Sequence, residues 1–395
     1  MRILYGVVGE GMGHATRSRV VIEHLLGQGH ELLVVVSGRA HSFLDEVLSQ
    51  AASASSGSVE VREIAGLHLV FDEEGVDRSK SLWSNLALAP ASLRTNIGLY
   101  HEVVGCFSAE LVISDFESWA YLFGRFHDIP VLSIDNMQVL NRCKHPSSMK
   151  RDTGLRDPDW EVAKWSVKVK LPGAFHYLVS SFFFPPVRKR RTTLVPPILR
   201  PQILQATREP GEHVLVYQSA ANNAPLLELL SAMPHRFRVY GMGTERPLGL
   251  GDNVTLRPFS QEGFVDDLRT ARAVVAGGGY SLMGEAVHIG VPMLAIPLAS
   301  QYEQTLNARY LQELGYGAWA AEVDSTVLTA FLANLPAYET ALATYPRQGN
   351  SMLLSCVDEV LRRVELGEAA PEALDAPSMG DRVSARIDAA LELEG

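Results

Sequence analysis

The chain has 395 residues, 47% hydrophobic and 20% charged, with a net charge of −10 at pH 7. That length and composition suit two globular α/β domains, and the negative charge argues against a general nucleic-acid binder. The three cysteines, Cys106, Cys143 and Cys356, match no zinc or disulfide spacing and suit a reducing, cytoplasmic setting.

"RILYGVV" at the start is a short β-rich run. Glycines and Glu10 break its apolar character within ten residues, unlike a signal peptide. "GEGMGHATRS" follows, with Gly9, Gly11 and Gly13 at alternate positions and then His14. A dinucleotide fingerprint would be G-x-G-x-x-G, with an acid at the end of the second strand. Here the spacing is G-x-G-x-G-H, and the second strand, "ELLVVVS", runs into Gly38-Arg39. Arg39 could receive a 2′-phosphate, so an NADP oxidoreductase stands as one alternative. A tight turn with a capping histidine is the plainer reading. The turn also leaves backbone N–H groups at a helix N-terminus and puts an imidazole beside them, which suits proton abstraction.

Val20, Val21, Leu25 and Leu26 have helical spacing, and Gly27 and Gly29 end that helix. Strands are expected at "LVISD" (111–115) and "PVLSID" (130–135), with helical "FESWAYLFGRFHD" between them. Strand–helix–strand in this order predicts a doubly wound parallel sheet. Asp115 and Asp135 end those two strands. Asp115 can cap the next helix or orient a base, and Asp135 is a rival base. Residues 142–191 hold twelve Lys/Arg against four Asp/Glu, ending in "FFFPPVRKRR". The run is either solvated surface or a basic face for an anionic or lipid-linked acceptor, with peripheral membrane contact. Asp157-Pro158-Asp159 is the only Asp-x-Asp in the chain, read as a surface loop, so no metal site is expected.

The pattern restarts with strands at "HVLVYQS" (213–219), "RFRVYGMG" (236–243), "AVVAGGG" (273–279) and "PMLAIPL" (292–298). Two Rossmann-like domains are therefore expected, 1–195 and 205–345. A Pro/Gly-rich hinge at 194–213 would join them, and their strand-end loops would face each other across a cleft. The segment 346–365 is expected to be helical and to return to the first domain; 366–395 is an acidic tail. Gly277–Gly279 permit close backbone approach to a phosphate at a helix N-terminus. Glu285, one turn into that helix, suits a ribose diol. Glu303 and Gln304 offer adjacent polar groups to something bearing hydroxyls.

Together these motifs resemble the inverting GT-B nucleotide-sugar glycosyltransferases, in particular the lipid II-forming N-acetylglucosaminyltransferase and UDP-glucuronosyltransferase group. The resemblance runs through most of 1–365 and is strongest at 1–20 and 255–317. It implies an acceptor-side first domain and a second domain binding a nucleotide diphosphate-sugar, a UDP-sugar by analogy, with no further cofactor. "FVDDLRTARAVVAGGG" is similar to the family's base-contacting loop and strand, implying Phe264 and Val265 at the base. It likewise implies Gly278, Gly279, Ser281 and Leu282 at the diphosphate, Glu285 on the ribose, and Glu303 and Gln304 on the sugar. "PPILR" implies Arg200 as a donor contact. "YQSAANN" stands where a Gly-rich turn is usual, leaving Ser219 and Asn222 as candidates. Gly11 and Gly13 would face the donor phosphates, and His14 would be the base, oriented by Asp115. A nucleotide-sugar 2-epimerase shares this fold and is a second alternative; a non-catalytic nucleotide-binding subunit is a third.

Overall fold

The computed structural model describes residues 1–9, 11–65, 70–72, 75–77, 95–152, 155–156, 158–218, 223–299 and 301–372. The first half opens with β1 (Arg2–Val7), α1 (Met12–Gly27), β2 (Glu31–Val36), α2 (Arg39–Ser53) and β3 (Ser58–Glu63). An antiparallel pair, β4 (Val70–Asp72) and β5 (Gly75–Asp77), precedes α3 (95–106). Next come β6 (Leu111–Asp115), α4 (Ser118–Phe126), β7 (Val131–Asp135), α5 (Val139–Arg142) and α6 (Ser147–Lys150). A second short pair, β8 (Arg151–Asp152) and β9 (Leu155–Arg156), leads to α7 (Pro158–Lys170), β10 (His176–Ser180) and β11 (Thr192–Val195). The second half contains α8 (Pro201–Leu204), β12 (His213–Tyr217), α9 (Ala224–Ala232), β13 (Arg236–Tyr240), β14 (Val254–Leu256) and α10 (Gln261–Thr270). It continues with β15 (Ala273–Ala276), α11 (Tyr280–Ile289), β16 (Met293–Ala295), α12 (Tyr302–Glu313) and β17 (Gly317–Trp319). Three helices close it: α13 (Ser325–Ala333), α14 (Leu335–Leu342) and α15 (Ser351–Glu365).

The strands form two parallel sheets, ordered β11-β10-β7-β6-β1-β2-β3 and β14-β13-β12-β15-β16-β17. Counted within its own half, each sheet follows the doubly wound order 3-2-1-4-5-6, the first with one strand added. Central strands are apolar on both faces because helices cover both sides. In β1, Ile3, Tyr5 and Val7 join one core and Leu4 the other. Strands that the periodicity did not reveal include those at the sheet edges. In β3, "SVEVRE" alternates polar and apolar residues at a half-exposed edge, and β14 and β17 are only three residues long.

Helix α15 buries Met352, Leu353, Val357 and Leu361 in the core that holds Ile22 and Leu25 of α1. The other core of the first sheet continues into the second domain, where the rings of Phe183 and Tyr310 stack with centroids 3.9 Å apart. Phe182, Phe183 and Phe184 are thus interior residues. The connection between the domains is buried at its start and largely exposed over 204–212. Residues 195–199 are buried, because the rings of Pro196 and Pro197 carry no N–H to solvate and pack inward. Asn350 clamps the segment, accepting from the Leu199 N–H at 2.9 Å and donating to its carbonyl at 2.6 Å.

Candidate active site

In doubly wound sheets ligands gather where the strand order reverses, beyond the carboxyl ends of the strands. In the first sheet that point lies between β1 and β6. Gly11, in extended conformation with φ −159°, is the N-cap of α1, so His14 falls in the first helical turn. The parallel register pairs Val7 with Asp115, which sets the Asp115 side chain beside that turn. His14 Nδ1 lies 2.9 Å from Asp115 Oδ1, and the His14 side chain is 23% exposed.

Asp115 does not cap α4. Glu117 does, accepting from the N–H groups of Trp119 and Ala120 at 2.7 Å each. Glu117→Ala is expected to lower stability by about 1 kcal/mol, the usual worth of a cap, measured as a thermal-midpoint shift. Asp115 is free for another partner, and that partner is Arg17, which the sequence reading did not single out. Arg17 donates from Nε to Asp115 Oδ2 at 2.8 Å and from Nη2 to Oδ1 at 2.5 Å. Ser18 Oγ donates to Oδ2 at 2.9 Å. The signal was present in "HATRS": positions three and four after His14 share its helix face.

The electrostatics follow from this packing. Burial alone would raise the Asp115 carboxyl, but Arg17 and then His14 outweigh it and hold it well below the ordinary carboxylate range. Burial, then Arg17, lowers the His14 imidazole, against the pull of Asp115, with Lys170 a smaller lowering influence. His14 is accordingly neutral near pH 7. Arg17 Nη2 also lies 2.7 Å from His14 Nδ1. Nδ1 cannot both donate to Asp115 and accept from Arg17, so the tautomer decides which ring nitrogen is basic.

Across the cleft stands the corresponding point of the second sheet. Gly279 caps α11, with Ser281 in its first turn. A Cβ on Gly13 would stand 2.6 Å from Ser281 Oγ, so only glycine lets the two helix N-termini approach this closely. A Cβ on Gly278 would stand 2.5 Å from the Gln304 carbonyl oxygen, which ties that turn to α12. A side-chain chain crosses the domains here. Arg17 Nη1 donates to Asn136 Oδ1 at 2.6 Å, and Asn136 Nδ2 donates to Glu303 Oε1 at 2.5 Å. Asn307 Nδ2 donates to the same oxygen at 2.5 Å and to the Gly278 carbonyl at 3.3 Å. Burial pushes the Glu303 carboxyl up to about 7, with Asn307, Arg17 and Asn136 pulling it down.

The other sequence-derived positions divide. Glu285 is buried and takes both oxygens to Arg200, at 2.8 Å from Nε and 2.8 Å from Nη2, so these two form one unit. Gln304 accepts from the Leu298 N–H at 3.1 Å and donates to Gln301 at 2.5 Å, bracing the loop before α12. Leu282 is half-buried in α11. Phe264 and Val265 are not on a loop: Ser260 caps α10, and both side chains are buried within that helix. Phe264 packs edge-on against Tyr217 and Tyr240, with Arg200 5.9 Å above its ring centre. Their spacing with Leu268 makes an inward helix face. Asp135 is fully buried; it accepts from Ser133 Oγ at 2.6 Å and from the Gln138 N–H at 2.8 Å, so both oxygens brace the turn after β7. Ser219 and Asn222 lie outside the described residues, as does Asp157. Pro158 and Asp159 open α7 rather than lying in a loop. Among the described residues no helix is long and apolar enough to cross a membrane. The basic run is partly engaged: Arg188 and Lys189 donate to Asn141, and Arg190 pairs with Glu372.

Two doubly wound sheets with their switch points opposed across one cleft define the GT-B fold, and solved glycosyltransferases share it. The glycotransferase of kitacinnamycin superposes with TM-score 0.61 at 18% identity, covering 92% of this chain and 98% of that one. The spinosyn forosaminyltransferase gives TM-score 0.62 at 14% identity, covering 92% and 99%. Residues 1–336 match the glycosyl transferase family 1 model, and the chain belongs to that family. An uncharacterized glycosyltransferase of Methanosarcina mazei is 24% identical over 353 residues, 80% of this chain and 85% of the relative. Another, from Methanosarcina acetivorans, is 26% identical over 345 residues, covering 80% and 83%. Family membership favours glycosyl transfer over the oxidoreductase and epimerase alternatives. Arg39 itself is an exposed residue opening α2.

Proposed function

We propose that the protein transfers a sugar from a nucleoside diphosphate-sugar, a UDP-sugar by its resemblance to the UDP-glucuronosyltransferase group, to an acceptor hydroxyl with inversion. The observation that carries this reading is the His14–Asp115 pair at one helix N-terminus, set against the N-terminus of α11. In the productive tautomer Nδ1–H donates to Asp115 and the Nε2 lone pair takes the acceptor proton. The acceptor oxygen then attacks the anomeric carbon opposite the leaving diphosphate. Backbone N–H groups at α11 offset the charge growing on that diphosphate. Glu303, joined through Asn136 to Arg17, accepts from donor-sugar hydroxyls. Glu285 with Arg200 meets the ribose.

The test is a transfer assay with a panel of UDP-sugars and hydroxyl acceptors, reading the product anomer by NMR. Retained configuration, or conversion of the sugar nucleotide without any acceptor, would overturn the reading. Glu285→Ala should weaken nucleoside diphosphate binding by about 1.5–3 kcal/mol, since a charged acceptor is lost. An unchanged calorimetric Kd removes the ribose role.

The pH dependence carries a separate prediction. Glu303 accepts best when ionised, so kcat/KM should fall as pH drops through about 7. Neutral His14 persists to lower pH, because its imidazole is lowered from the ordinary value. Glu303→Gln should therefore abolish the upper limb of the kcat/KM profile and leave a lower one. A profile that Glu303→Gln does not alter assigns that limb to another group.

A further inference from the structure

The described residues end beside a basic turn. His176 Nδ1 donates to the Pro371 carbonyl at 3.3 Å, and the Glu372 carbonyl accepts from the N–H groups of Arg191 and Thr192. The Glu372 carboxylate pairs with Arg190. The chain is therefore anchored at the turn before β11, with residues 373–395 still to follow.

Near that turn the outward side of α7 is apolar and exposed. Val162, Trp165 and Val169, spaced by three and four, are 53%, 63% and 47% exposed. At about 100° per residue they fall within roughly 60° of arc, opposite the buried Trp160 and Val167. A surface helix normally turns polar residues outward, so such a stripe marks a face made to be covered. Lys168 borders the stripe, and Lys164, paired with Glu161 at 3.6 Å, stands next to it. Burial first, then Arg188, Arg142, Lys168 and Lys164, push the Lys189 ammonium down to about 8, so α7 and the basic turn share one positive field.

The complement stands in the same chain. The acidic tail lies outside the described residues, and its sequence predicts an amphipathic helix. Ser378 follows Pro377, and Asp381 comes three residues later, the spacing of a capping box. Met379, Val383, Ile387, Ala390 and Leu391 then recur at helical spacing. On that helix Asp381, Asp388 and Glu392 fall within roughly 40° of arc along one edge of the apolar stripe. A helix over 379–393 is about 22 Å long, close to the roughly 20 Å of the 13-residue α7. The link over 373–378 spans at most about 22 Å from its anchor. A two-fold contact of α7 with a second copy would instead set like charges against each other.

We propose that the C-terminal tail folds back as a helix on the outward face of α7. Its apolar stripe covers Val162, Trp165 and Val169, and its acidic edge meets Lys168 and Lys189. This is a surface within one chain and stands apart from the reaction assigned to the cleft.

Carbodiimide cross-linking of the full chain tests it, with equal amounts of unlabelled and isotope-labelled protein mixed. Peptides joining Lys164 or Lys168 to Asp388 or Glu392 should appear, both halves carrying the same label. Ile387→Asp with Leu391→Asp should lose these cross-links and make Trp165 more accessible to acrylamide quenching. The Trp165 signal is the difference between each chain and its Trp165→Phe counterpart. A cooperative thermal transition in the variants separates a lost contact from lost folding. Trp165 quenching that the tail substitutions leave unchanged overturns the proposal. Cross-links joining differently labelled halves also overturn it and make the face a contact between copies.

Discussion

Replacing His14 by alanine is expected to reduce turnover by about 10²–10⁴-fold while nucleoside diphosphate affinity stays near wild type. General-base catalysis typically supplies that much. The imidazole is held neutral near pH 7 and is 23% exposed. Asp135, the competing carboxylate, is 0% exposed, and its oxygens are bonded to Ser133 and to the Gln138 N–H. Burial is the largest influence raising its carboxyl, to about 6. Steady-state kinetics at saturating acceptor, paired with calorimetry of nucleotide binding, separate the two effects. His14→Ala with wild-type turnover would move the base elsewhere. A fall in nucleotide affinity equal to the fall in turnover would make His14 a binding residue.

Arg17→Met should be the most destabilising single change around the site, by about 3–5 kcal/mol. It removes one partner of a buried pair and leaves Asp115 as an uncompensated charge. Asp115 is 1% and Arg17 4% exposed, so water cannot take over the lost bonds. Adding Asp115→Asn to Arg17→Met should recover part of the loss, because the orphaned charge is then gone. Urea unfolding of the four members of this cycle measures both quantities. An Arg17→Met midpoint equal to wild type would show that Asp115 finds other compensation. The pair also carries a pH dependence of stability. The folded Asp115 carboxyl lies below its unfolded value, so its contribution is full above the unfolded pKa and is lost only as pH falls through the folded one. Arg17 has a second expected effect, on the base. It lowers the His14 imidazole, so whatever Arg17→Met remains folded should need a higher pH for activity.

Much of this molecule follows from local pattern. β1, β2, β6, β7, β12 and β15 are short apolar runs, and a parallel sheet covered on both faces requires such runs. Because ligands collect at strand ends, His14, Asp115, Gly278 and Glu303 could be named from position alone. The edge strands β3, β14 and β17 could not, since an edge is half solvated and its pattern fades into that of a loop. Phe264 and Val265 needed the structure in another way. The resemblance put this apolar pair on a loop, and the structure puts it on the inner face of a capped helix.

What the sequence by itself determined is the pair of doubly wound sheets and the types of residue at their strand ends. The tertiary structure alone decided which of those residues act together. Arg17 reaches Asp115 across 98 positions, and Asn136 reaches Glu303 across 167. Hydrogen-bond partners so distant in sequence leave no periodic trace, because a pattern records the face on which a side chain stands and not the group it meets. The same limit applies to the linker. Its prolines signal a break in secondary structure, but only packing against α11 and the clamp of Asn350 bury 195–199.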